Sequence, residues 1–110
     1  MEKIDDNFAP LRKGLLEFAV LQVISGKKAY VADILTQLEK TAFATSEGTL
    51  YPLLSRLKRE NLLAYEWAES ENGPPRKYYQ LTVVGTERLK QLHTYWHELY
   101  KSLENLGGKK

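Results

Sequence analysis

Leu63-Ala64-Tyr65-Glu66-Trp67-Ala68-Glu69-Ser70-Glu71-Asn72-Gly73-Pro74-Pro75-Arg76-Lys77-Tyr78-Tyr79-Gln80-Leu81 is the stretch that decides how this chain folds. Its two ends, 63–67 and 77–81, are short, aromatic and β-prone. Between them Asn72-Gly73 is followed by Pro74-Pro75, a combination that turns a chain and stiffens the turn. The stretch therefore reads as one β-hairpin with a stiff tip.

Everything before the hairpin has helical periodicity. A first segment runs from about Phe8 to Ile24 and carries two apolar stripes. Phe8, Leu11, Leu15, Phe18 and Gln22 form one, and Leu16, Val20, Val23 and Ile24 form the other. A helix with two such stripes must bury both. Ser25-Gly26 ends it. A second helix spans about Val31 to Lys40, with Val31, Ile34, Leu35 and Leu38 on one face. A third follows Thr45-Ser46, either of which suits an N-cap, and reaches about Asn61. Its Leu50, Leu53, Leu54 and Leu57 face the core, and Pro52 is expected to tighten or kink its first turns. After the hairpin, Thr82 caps a long last helix that continues to about Asn105.

Helix, helix, helix, hairpin, helix is the order of a winged helix-turn-helix. The expected fold class is α+β, mostly α, with an N-terminal helix and a long C-terminal dimerisation helix. Residues 1–81 would form the DNA-binding domain, and 82–110 the dimerisation helix and tail. On the third helix, Gly48, Pro52, Ser55 and Arg59 point most directly away from the leucine stripe, flanked by Thr49, Tyr51, Arg56 and Lys58. Small residues allow close approach to a groove, hydroxyls bond phosphates or bases, and the cations attract the backbone.

Charge is a weaker guide. The 110 residues carry a net +2. Residues 25–61 are net +2, whereas the hairpin region 62–80 is net −1, with Glu66, Glu69 and Glu71 before the tip and Arg76 and Lys77 after it. If the hairpin is to meet DNA, those glutamates must point away from it.

Ser46-Glu47-Gly48-Thr49-Leu50-Tyr51-Pro52-Leu53-Leu54-Ser55-Arg56-Leu57 resembles the recognition-helix signature of PadR-type transcriptional regulators, and Glu69 to Thr82 resembles their wing. The likeness extends from about Leu11 to Leu106, and the single C-terminal helix is similar to the smaller subfamily. It implies a homodimeric repressor that binds a pseudo-palindromic operator and is released by a small molecule, often phenolic or drug-like. By position, Tyr30, Ser46, Thr49, Tyr51 and Arg56 would contact DNA, with Gly73, Arg76 and Lys77 in the wing. One departure stands out. Lys28-Ala29-Tyr30 occupies the place where the family commonly has His-Gly-Tyr.

Leu89, Leu92, Trp96, Leu99, Leu103 and Leu106 repeat at spacings of 3, 4, 3, 4 and 3, a heptad seam of about two and a half repeats. The last helix is expected to pair with its two-fold mate and with the mate's first helix, through Leu11, Leu15 and Phe18. Trp96 in that seam, facing its own copy, would frame a flat slot for a planar aromatic or phenolic effector. Leu92, Leu99, Val20 and Gln22 are further candidates for its lining.

Several classes are excluded or disfavoured. Cysteine is absent, so thiolate metal sites and thiol nucleophiles are out. His93 and His97 have a metal-compatible spacing but no evident third ligand, and read as surface residues. No catalytic constellation or cofactor motif appears, so neither an enzyme nor a cofactor is expected. The start, Met1-Glu2-Lys3-Ile4-Asp5-Asp6, is acidic rather than a secretory leader. The longest apolar-rich run, Leu15–Ile24, is too short to span a bilayer, so a cytoplasmic protein without membrane contact is expected. A winged-helix module that docks a protein through its acidic wing root, without specific DNA binding, is the alternative function.

Overall fold

The computed structural model describes residues 6–70 and 72–108. The Met1–Asp5 start, Glu71 and the terminal lysines lie outside the described residues. After a 3-10 turn at Asp6–Phe8 come α1 (Ala9–Gly26), α2 (Val31–Glu39) and α3 (Glu47–Arg59). The antiparallel ribbon β1 (Leu63–Ser70) and β2 (Gly73–Leu81) follows, and α4 (Val83–Asn105) completes the order. This is the winged helix-turn-helix arrangement that the sequence predicts.

Each boundary has a local cause. Pro10 sits in the first turn of α1, where its missing N–H is no loss. The Asp33 carboxylate accepts the Tyr30 N–H at 3.0 Å and closes the start of α2. Ser46 Oγ accepts the Thr49 N–H at 3.3 Å and caps α3. Arg56, Lys58 and Arg59 occupy the last turn of α3, where cations meet the negative end of the helix dipole. Pro52 stays within a continuous helix. Asn61 takes a left-handed φ of 66° and turns the chain from α3 into β1. Thr82 ties this corner together, since its Oγ1 donates to the Asn61 carbonyl at 2.7 Å and accepts the Gly85 N–H at 2.9 Å.

The strands are longer than the sequence suggests. The ladder runs in register from Leu63–Leu81 to Ala68–Arg76 and closes at Ser70–Gly73. Over that last interval β2 advances one residue more than β1, so the bulge falls at Pro74-Pro75. Prolines have no N–H to give a ladder, and a bulge is where their loss does least harm. The turn chemistry was real, but the ribbon absorbs most of it. A further backbone pair, Ala29 N–H to Tyr79 O at 3.0 Å and Tyr79 N–H to Ala29 O at 2.8 Å, adds one residue of a third strand beside β2.

The core sits between α1 and the rest. Val20, Leu21, Ile34, Leu50, Leu54 and Leu57 are wholly buried, and Leu62, Leu63 and Tyr79 seal it from the ribbon side. Leu21 belongs to neither stripe read from the sequence. Two side chains assigned elsewhere also belong here. Val20, a candidate for the effector slot, is inside this core and reaches no surface. Leu89, placed at the start of the dimer seam, is buried against its own chain. The heptad spacing is correct there, but the first turns of α4 pack onto α1 and so use it internally. The rest of α4 extends from the body. Trp96, Leu99, Leu103 and Leu106 are exposed in the single chain, as are Phe8 in the 3-10 turn and Leu11 on α1.

Candidate nucleic-acid interface

The outward face of α3 is as the helical spacing requires. Gly48, Thr49, Tyr51, Pro52, Ser55 and Arg59 are exposed, while Leu50, Leu54 and Leu57 lie beneath. The Ser46 hydroxyl is occupied as the helix cap, which leaves the Thr49, Tyr51 and Ser55 hydroxyls as the open donors.

Arg56 departs from the sequence reading. By sequence it is a DNA contact flanking the groove-facing residues, and in the structure it is already paired. Its Nη1 donates to Glu60 at 3.1 Å and its Nη2 to Glu17 of α1 at 3.2 Å. These two carboxylates, Glu60 first and Glu17 second, raise the guanidinium's pKa above its ordinary value. The other oxygen of Glu17 accepts from Arg88 of α4 at 3.0 Å. One carboxylate on α1 thus holds both α3 and α4. Glu17 was missed as a site residue. Its signal was present, as a charge interrupting the most apolar run of the chain, but its partners lie 39 and 71 residues away.

The ribbon and the start of α2 form an array of stacked rings and cations. Tyr30 stacks on Tyr78 with centroids 4.1 Å apart and planes 16° from parallel. The Arg76 guanidinium lies 5.0 Å from the Tyr30 ring, and Lys28 Nζ 5.1 Å from the Tyr78 ring. On the other face of the ribbon, Lys77 Nζ is 4.4 Å from Tyr65, and Lys58 of α3 is 5.5 Å from the same ring. Cations over aromatic faces are held in place while keeping their charge. A side-chain hydrogen bond to Tyr78, with desolvation second, raises the Tyr30 phenol's pKa above its ordinary value. Of the wing glutamates, Glu66 is paired with Lys28 at 3.7 Å and Glu69 is exposed. Gly73 opens β2 at the exposed tip.

The structure brings Tyr30, Tyr51, Arg76 and Lys77 to one cleft between the reading helix and the wing. Glu47, Trp67 and Pro75 line it with them. A second groove, of 430 Å³, lies between α1 and α4 and is lined by Leu15, Phe18, Ala19, Gln22, Phe43, His93 and Trp96. Of the effector candidates only Trp96 and Gln22 line it. Leu92 is partly buried against the core, and Leu99 is exposed further along α4. Phe43, from the loop between α2 and α3, was not anticipated. His93 meets Gln22 Oε1 at 2.6 Å and Phe18 edge to face, so it belongs to this groove wall.

A reading helix presented on a three-helix body, with a wing beside it, defines a winged-helix DNA-binding transcription regulator. Residues 20–91 match the transcriptional regulator PadR-like family, and the chain belongs to it. It is 43% identical to a PadR-like transcription factor from Bacteroides fragilis, over 94% of this chain and 100% of that one, with a TM-score of 0.81. A PadR-like transcriptional regulator from Bacillus cereus is 35% identical, covers 92% and 99%, and has a TM-score of 0.80. A PadR family regulator from Eggerthella lenta is 31% identical over 96% and 92%, with a TM-score of 0.85. The family is one of regulators, not enzymes. No helix among the described residues is long and apolar enough to cross a membrane.

Proposed function

We propose that the chain is a homodimeric, ligand-responsive repressor that acts in the cytoplasm on a pseudo-palindromic operator. The observation that carries this reading is the convergence of α3, the start of α2 and the wing on one donor-rich cleft. Each subunit lays α3 in a major groove, with Thr49, Tyr51 and Ser55 toward the bases and Tyr30, Gly73, Arg76 and Lys77 toward the backbone. Ser46 serves as the cap that orients the first turn of α3. Arg56 holds α3 against α1, and it reaches a phosphate only by exchanging a carboxylate partner.

The mate is bound through the exposed seam Trp96, Leu99 and Leu103 with Leu11, Leu15 and Phe18 of the partner's first helix. Leu92 lies at the inner end of that seam. A planar aromatic or phenolic effector enters the α1–α4 groove beside Trp96 and changes the spacing of the two reading helices. It lowers DNA affinity by as much as its own affinity differs between the two spacings.

Anisotropy titration of the DNA upstream of the chain's own gene tests the repressor reading. Affinity is expected to be sequence-specific and to fall steeply with salt, as counterions are released. Equal weak affinity for every duplex would overturn it.

A further inference from the structure

Trp67 is the most exposed aromatic side chain on the described part of the wing, at 62%. The fold does not need it in solvent, and its direction is fixed. It sits opposite Lys77 in the ladder, so indole and ammonium share one face of the ribbon. Its ring meets Tyr65 edge to face at 6.2 Å, and Lys77 Nζ lies 5.5 Å from it. Supported in this way, the indole lines the cleft between wing and reading helix, a space of 470 Å³.

The chemistry of that cleft is one-sided. The indole N–H, the Tyr30 and Tyr51 phenols, the Arg76 guanidinium and the Lys77 ammonium are all donors. Among the described lining residues Glu47 is the one carboxylate, and it stands in the first turn of α3, where the helix dipole offsets its charge. When a reading helix occupies a major groove and a wing reaches the next minor groove, one sugar–phosphate strand must cross between them. Its anionic oxygens suit the donors, and its deoxyribose suits the indole face.

We propose that this cleft seats one phosphodiester segment of bound duplex DNA, and that Trp67 packs against it as a sequence-independent contact. The proposal rests on the DNA-binding reading and extends it to a residue that pairing patterns and charge do not mark.

The test uses the full chain labelled with 5-fluorotryptophan and a random-sequence duplex at low salt. The Trp67 resonance, assigned by its loss in Trp67→Phe, is expected to shift on adding the duplex. Trp67→Ala should weaken binding by roughly tenfold, the low end of what burying one large apolar side chain contributes. Because the indole is neutral, the salt slope should stay at the wild-type value, whereas Lys77→Ala should lower it by about one. Unchanged thermal melting of the Trp67 variants confirms that the fold is retained. An unmoved Trp67 resonance in a protein that still binds DNA overturns the proposal and leaves the DNA-binding reading intact. So does a Trp67→Ala variant whose salt slope drops like that of Lys77→Ala, since the indole would then act only by holding the lysine. Absence of any duplex affinity at low salt would overturn both.

Discussion

Gly85 shows how one missing atom sets the position of a helix. It is the third residue of α4 and is buried against the corner between α3 and β1. A Cβ there would overlap the Leu62 carbonyl, which is backbone and cannot rotate aside. The same carbonyl accepts the Thr82 N–H at 3.1 Å, so α4 is docked by contact and by hydrogen bond at one place. Gly85→Ala is expected to destabilise the fold by on the order of 3 kcal/mol, the upper range for overpacking. Urea unfolding followed by circular dichroism measures it. Gly48, in open surroundings on α3, is the control, since a Cβ there meets only the Ser46 hydroxyl oxygen at 3.7 Å.

At the scale of elements, the two oxygens of Glu17 join three helices. Arg56 and Arg88 are each about two-fifths exposed, so solvent screens both pairs. A double-mutant cycle of Glu17→Gln with Arg88→Gln should return a coupling of about 0.5–1 kcal/mol. No coupling would mean that the bridge does not hold in solution. The order of elements, the Thr82 cap, a cap at Thr45 or Ser46 and the outward face of α3 were legible in the sequence, because caps and periodicity are local. Glu17, Phe43 and the paired Tyr30 and Tyr78 were not, because their roles arise from partners far along the chain. The wing was underestimated for a different reason. Asn72-Gly73-Pro74-Pro75 carries strong turn signals, and a bulge lets a ribbon continue through them.

For the molecule as a whole, shape is the informative quantity. The radius of gyration is 16.4 Å, against roughly 13 Å for a compact chain of this length. The extents of 59 × 41 × 21 Å agree with a body from which α4 projects. Leu103, at 69% exposed, lies far out on that arm. Leu103→Lys should therefore leave the single-chain core intact and split the proposed dimer. Sedimentation equilibrium is expected to give twice the chain mass for the wild type and a mass near that of one chain for the variant. A wild-type protein that sediments as a monomer at micromolar concentration would contradict the pairing.

The projecting α4 also bears on how the gene is dosed. If α4 finds its cover in a second copy, as proposed, melting temperature rises with protein concentration, by mass action. If the proposed dimer is the form that binds the operator, occupancy at low abundance grows with the square of the chain's concentration. In that case dilution at cell growth would lower occupancy more abruptly than it would for a regulator that binds as a single chain.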